Sequence, residues 1–214
     1  GLIFTIVPFP VQAVKTIHYS TEVLDKDGRL LYTFLNDQGR WQLPIPLTRL
    51  DDRFIKATLS IEDHNFYHHA GIDVPAIFRS AFLNVSNGRI ISGASTISMQ
   101  TIRLLEGRKR NIINKVIEIV HAIRLEQLYS KDQILKMYVE LAPYGGNIHG
   151  VRAASLRYLN KEPDDLTLAE SAMLAGLPQS PSRLRPDRYP ERARIRRDRV
   201  LASMLRTGDI DQRA

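Results

Sequence analysis

The stretch Ile61-Glu62-Asp63-His64-Asn65-Phe66-Tyr67-His68-His69-Ala70-Gly71 concentrates groups able to move protons. Two adjacent carboxylates end an amphipathic run, an aromatic follows, then paired histidines and a glycine stop. On a helix adjacent side chains point about 100° apart, so only one of Glu62 and Asp63 can face a cleft. The pair reads either as one working and one orienting carboxylate or as a solvated helix end with a turn. His64, His68 and His69 raise the question of a metal, but their spacing fits no zinc signature, and no metal ligands are assigned. His121 and His149 read as structural.

A second segment, Ser92-Gly93-Ala94-Ser95-Thr96-Ile97-Ser98-Met99-Gln100, pairs a glycine with hydroxyls at the expected start of a helix. Free N–H groups and the helix dipole favour an anion there, and plain N-capping by Ser95 or Thr96 explains the same residues. Arg103, Arg108, Lys109, Arg110 and Lys115 follow, either as a pyrophosphate-binding set or as a solvated charge run. Glu118 lies among Val116, Ile117, Ile119 and Val120, as a second cleft carboxylate or as the helix's polar stripe.

The positioning elements are mostly helical. Phe54, Ala57, Thr58 and Ile61 keep helical spacing and deliver Glu62 at a helix C-terminus. Asp73 with Pro75 opens a helix that ends at Asn87-Gly88, and Ile112 to Tyr129 is a long amphipathic helix carrying Val116, Ile119, Val120 and Ile123. Ser130 with Gln133 and Thr167 with Glu170 form capping boxes, and the last helix runs from about Glu191 to Arg206 before Gly208. Earlier, Glu22–Asp25 and Arg29–Phe34 flank an Asp-Gly turn, and with Trp41–Leu43 they predict a small antiparallel β element. Pro143–Asn147 is expected as a turn. The fold class is mostly α with a minor β element.

With 214 residues and 43% hydrophobic content, the chain can bury a core without disulfides, and it has no cysteine for thiol catalysis. The net charge of +7 points to an acidic partner. Eight arginines face three acids between Arg183 and Arg199, yet Tyr189 is the one aromatic there, which argues against nucleic acid. The apolar start, Gly1 to Pro10, is too short to span a bilayer. It reads as a buried strand or as the end of a membrane anchor.

Taken together, the segments resemble the peptidoglycan glycosyltransferase domain of glycosyltransferase family 51, found in class A penicillin-binding proteins and monofunctional transglycosylases. The match covers roughly Ser20 to Leu205. Glu62, Asp63, Phe66, His69 and Gly71 fit the motif EDxxFxxHxG, and Gly93–Gln100 reads GASTISMQ against GxSTITQQ. Lys115 and Glu118 fit RKxxE, Lys131–Glu140 is similar to KxxILExYLN, and Arg196–Met204 fits RxxxVLxxM. Within the family, VLDKDGRLLY, Met99 and LAPYGGNIHGVRAAS resemble the 1C branch. Asn114, Lys136 and Glu140 depart from the pattern, standing where the family has Arg, Glu and Asn.

The resemblance implies a lysozyme-like helical domain with a smaller membrane-facing jaw. The donor would be the growing glycan on a polyprenyl pyrophosphate and the acceptor lipid II. Glu62 would be the general base and Glu118 would serve the pyrophosphate side. Ser95, Thr96, Gln100, Arg103, Arg110 and Lys115 would contact substrate, with Asp63, Phe66 and His69 completing the first motif. No cofactor is required by the sequence; a divalent cation, magnesium or manganese, at the pyrophosphate is compatible with the family. The expected organisation is an anchor end at 1–10, a β element and linker at 11–46, the transferase domain at 47–207 and a linker start at 208–214. The setting would be the periplasmic side of the inner membrane, with a transpeptidase domain in the full-length chain. A glycan-cleaving lytic transglycosylase, or a degenerate member that only binds, is the alternative.

Overall fold

Asp25 shows how the first turn forms. Its Oδ1 accepts the N–H groups of Asp27 and Arg29, each at 2.8 Å, so the side chain itself closes the loop before Gly28. In the computed structural model, which describes residues 9–88, 93–109 and 111–211, the flanking strands β1 (Glu22–Leu24) and β2 (Leu30–Thr33) pair antiparallel as expected.

Trp41 and Gln42 depart from expectation. They form β3 (Trp41–Gln42), which pairs in parallel with β5 (Ile148–His149) rather than joining the hairpin. β4 (Pro143–Gly145) completes that sheet against the other edge of β5, so the segment expected as a turn is a strand and its turn. A short helix, α1 (Val11–Lys15), also occupies the stretch expected as β element and linker.

The helices otherwise follow the sequence signals, except α7, which none marked: α2 (Asp52–Glu62), α3 (Val74–Ser86), α4 (Ile97–Glu106), α5 (Ile112–Leu128), α6 (Lys131–Leu141), α7 (Val151–Leu159), α8 (Leu168–Gly176) and α9 (Pro190–Thr207). Asp73 caps α3 and Thr96 caps α4. The Thr167–Glu170 capping box forms on α8, and Ser130 exchanges the same pair of bonds with Gln133. The chain is mostly α. Among the described residues no helix is long and apolar enough to cross a membrane, and residues 1–8 of the expected anchor lie outside the described residues.

The chain divides into two compact units, one of Gly1–Val14 with Glu62–Tyr138, the other of Lys15–Ile61 with Val139–Ala214. In the first, α4 packs on α5 around Ile97, Met99, Ile102, Ala122 and Leu125, all essentially without solvent exposure. α5 turns an unexpected face inward. Glu118, His121, Ala122 and Leu125 are buried, whereas Ile112, Ile113 and Val116 stand exposed. Apolar periodicity alone would have turned Val116 toward the core.

In the second unit α8 packs on α9, with Val200 and Met204 buried and the Arg196 guanidinium donating to the Gly176 carbonyl at 3.1 Å. Glu140, an Asn in the family pattern, is buried and has specific work here. Its carboxylate accepts from the Tyr19 hydroxyl at 2.7 Å and from the Ile45 N–H at 2.9 Å. Burial and that carboxylate together drive the Tyr19 pKa upward.

Candidate active site

The first unit contains the described members of the expected site. Glu62 ends α2 half-buried, and its Oε2 accepts from the Gln100 side-chain amide at 2.8 Å. Asp63 turns the other way, as the angle between adjacent residues requires. It is 7% exposed, lies with its carboxylate oxygens 3.0 and 3.1 Å from His69 Nε2, and accepts the Ile97 N–H at 2.9 Å. That last contact places a carboxylate at the N-terminus of α4, where helix dipole and unsatisfied N–H groups favour it. Glu62 is thus presented and Asp63 consumed in structure.

Phe66 is fully buried, edge-on to His69 with ring centroids 6.1 Å apart. Its neighbour Tyr67 donates to Asp132 at 3.0 Å, and burial together with that carboxylate pushes its pKa up to about 12. Gly71 lies against the backbone of α5. With φ at +93°, a Cβ there would sit 2.8 Å from the Ala122 carbonyl carbon and the Ile123 nitrogen. The Gly71 carbonyl accepts the Thr96 hydroxyl at 2.6 Å, and the Thr96 oxygen accepts the Met99 N–H at 3.2 Å. Thr96 is 2% exposed, and its bonds are those of the capping reading. Full burial likewise makes Phe66 a packing residue.

One helical turn beyond Gln100, Arg103 reaches toward α5, its guanidinium 3.9 Å from Glu118 Oε1. Lys115, one turn before Glu118, donates to the same oxygen at 2.9 Å and to Ser95 Oγ at 2.7 Å. Glu118 is buried while Lys115 remains 40% exposed, so the cations project from a carboxylate set behind them. Such a set suits an anionic ligand: Glu118 fixes the cations, and their outward charge remains available to phosphate oxygens. Arg110 lies outside the described residues.

Among the described residues no group of three His, Asp or Glu side chains could hold a metal ion by itself. Magnesium commonly binds through one or two carboxylates plus substrate phosphates, and Glu118 beside Lys115 supplies a carboxylate of that kind. Behind His69 stand three residues that spacing did not single out for chemistry: Ser98, Glu126 and Lys131. Nothing local marks Glu126, which stands between Leu125 and Gln127 two turns beyond Glu118.

The family model described as "Transglycosylase" matches residues 27–205. The chain belongs to the transglycosylase family. Penicillin-binding protein 1C of Escherichia coli (strain K12) is 39% identical to this chain over 201 residues, covering 94% of this chain and 26% of the relative. Penicillin-binding protein 1A of Pseudomonas aeruginosa is 38% identical over 205 residues, covering 94% and 25%. The chain therefore spans about a quarter of the length of the curated relatives it matches. The crystal structure of penicillin-binding protein 1A from Haemophilus influenzae aligns with a TM-score of 0.51 at 22% identity, over 92% of this chain and 20% of that one. That likeness concerns the fold. The resemblance drawn from the motifs is met at the level of family and of fold class.

Proposed function

We propose that the chain is a peptidoglycan glycosyltransferase domain that polymerises lipid II into β-1,4-linked glycan. The observation that carries this reading is the α4 framework: Gln100 on Glu62 and, one turn on, Arg103 beside Glu118 and Lys115. One helix, α4, thereby contacts both the base at the end of α2 and the Lys115–Glu118 pair on α5.

In the proposed reaction Glu62 takes the proton from the acceptor 4-hydroxyl as that oxygen attacks the donor anomeric carbon. The C1–O bond to the pyrophosphate breaks in the same displacement and the configuration inverts. Polyprenyl pyrophosphate is already a good leaving group and needs its charge met more than it needs a proton. Arg103 and Lys115 meet it, with Ser95 holding the lysine and Arg110 assigned to the same side. If a divalent cation takes part, Glu118 would hold it, and the ion would neutralise pyrophosphate oxygens. Asp63 and His69 keep the first motif in shape.

The proposed setting is the outer face of the cytoplasmic membrane. Exposed Phe78, Phe82 and Val85 on α3, exposed Ile112 and Ile113 on α5, and the net charge of +7 support a membrane surface as partner. A transpeptidase domain is the partner proposed for the full-length chain.

Incubation with lipid II tests the reading. Polymer and released polyprenyl pyrophosphate are expected, and Glu62→Gln should lower turnover by about 10²-fold or more. Shortening of finished glycan without new polymer would make the domain a lytic enzyme instead. Undiminished polymerisation by Glu62→Gln would remove that residue as the base.

A further inference from the structure

Glu126, on α5, is a buried carboxylate that the transfer chemistry above leaves unused; its side chain is 7% exposed. Both of its oxygens are occupied. Oε1 accepts the Ser98 hydroxyl, and Oε2 lies 2.6 Å from Lys131 Nζ. Lys131 also donates to the His69 carbonyl at 2.6 Å and stands 4.5 Å over the Phe66 ring. Glu126 Oε1 is 3.8 Å from His69 Nδ1, while the opposite ring nitrogen faces Asp63. The imidazole therefore stands between two carboxylates.

Those two carboxylates hold consecutive residues of one helical turn. Asp63 takes the Ile97 N–H and Glu126 takes the Ser98 hydroxyl, both at the start of α4. Apolar packing beneath α4 is non-directional and tolerates small rotations of the helix about its axis. Directed bonds do not: the Ile97 N–H, which runs along the helix axis, fixes where α4 begins, and the radial Ser98 hydroxyl fixes its rotation. Gln100 follows Ser98 by two positions, so the rotation of this first turn decides where its amide meets Glu62.

We propose that Glu126, supported by Lys131 and Ser98, is a positioning residue of the transfer site. It sets the rotation of α4 and through it the Gln100–Glu62 contact. The idea rests on the glycosyltransferase reading. Lys131 supplies the counter-charge without which a carboxylate at this depth would be strongly unfavourable. The clamp therefore works as a set.

The test uses the whole chain and lipid II, with kcat and KM measured separately. Glu126→Gln keeps the shape and an acceptor for Ser98 but loses the charge shared by Lys131 and His69. Its kcat should fall about tenfold while KM stays within about threefold, since the misplacement acts at the reacting atoms. Lys131→Arg, which preserves the charge, should retain more activity than Lys131→Met. A double-mutant cycle with Gln100→Ala decides the route: if Glu126 acts through Gln100, its substitution costs little more once the amide is gone. Independent losses that multiply would overturn the proposal, as would an unchanged kcat in Glu126→Gln. Should Glu126→Gln fail to fold, Ser98→Ala removes only the hydroxyl and must show the same split. A wild-type chain that makes no polymer would overturn the functional reading instead. The positioning would then be judged on the NMR signal of the Gln100 side-chain amide. That signal must move in Glu126→Gln and not in the exposed control Glu191→Gln; a signal that stays put overturns the placement.

Discussion

Glu62 and Asp63 are neighbours in sequence with opposite fates, and the cause is the angular step of the helix that delivers them. That the two must point apart was legible from spacing alone; the direction of each was not, because it depends on where α4 presents its N-terminus. Lys115 gives a test at the same scale. Its ammonium bonds Ser95 and Glu118 yet stays 40% exposed, so it is positioned for a ligand oxygen. Lys115→Met should lower kcat/KM for lipid II polymerisation by about 10²-fold, the order expected when a preorganised charge is removed from a developing anion. A loss below threefold would place the pyrophosphate elsewhere. Gly71→Ala is a test of packing. The added methyl meets the α5 backbone at 2.8 Å in a left-handed conformation, so urea unfolding should show a loss of about 3 kcal/mol. Thr96 was left between two roles by the sequence, and Glu126 was not singled out at all. A hydroxyl ahead of a helix looks alike whether it meets substrate or caps, and a glutamate in a long helix looks like surface until the fold brings it to His69.

At the scale of elements, α3 shows how a loop residue sets stability against pH. Asp73 accepts the Ala76 N–H and the Asn65 amide, each at 2.9 Å, and so ties the first motif to the start of the helix. Burial works to raise its pKa, but those bonds, with the charges of His69 and Arg79, outweigh it and hold the carboxyl below its usual value. A carboxyl depressed by folding contributes stability above its unfolded pKa, near about 4, and loses that contribution as pH falls through the lower folded value. Asp73→Asn keeps a cap but not the charge. Wild type should therefore exceed it in urea unfolding at pH 7, and the difference should close as pH drops below about 4. A difference that persists in acid would show that the cap, not the ionisation, sets the stability. Caps of this kind were readable in sequence because their signals are local, as were the Asp-Gly hairpin and the long helices. The pairing of β3 with β5 was not, since two-residue strands carry no alternation and their partner lies more than a hundred residues away.

Across the whole molecule, apolar exposure and charge act together. Phe78 is 72% exposed, Phe82 73% and Val85 83%, at helical spacing along one stripe of α3. An aqueous monomer gains nothing from such a stripe, whereas a membrane interface gains burial of each ring and an attraction between anionic lipid and the net +7 charge. Ile112 and Ile113 of α5 are exposed likewise, and the proposed membrane contact would cover them. The two contributions separate experimentally. Sedimentation with vesicles rich in anionic lipid should weaken as salt rises, because the charge contribution is screened within about 8 Å at physiological ionic strength. Phe78→Ser with Phe82→Ser should weaken binding about tenfold or more at every salt concentration, because the loss is of buried area. Thermal unfolding in the absence of vesicles should barely change, since those rings lie mostly in water already. If the double variant binds vesicles as wild type does, α3 does not face lipid. If it unfolds at a much lower temperature, the stripe packs against protein rather than membrane.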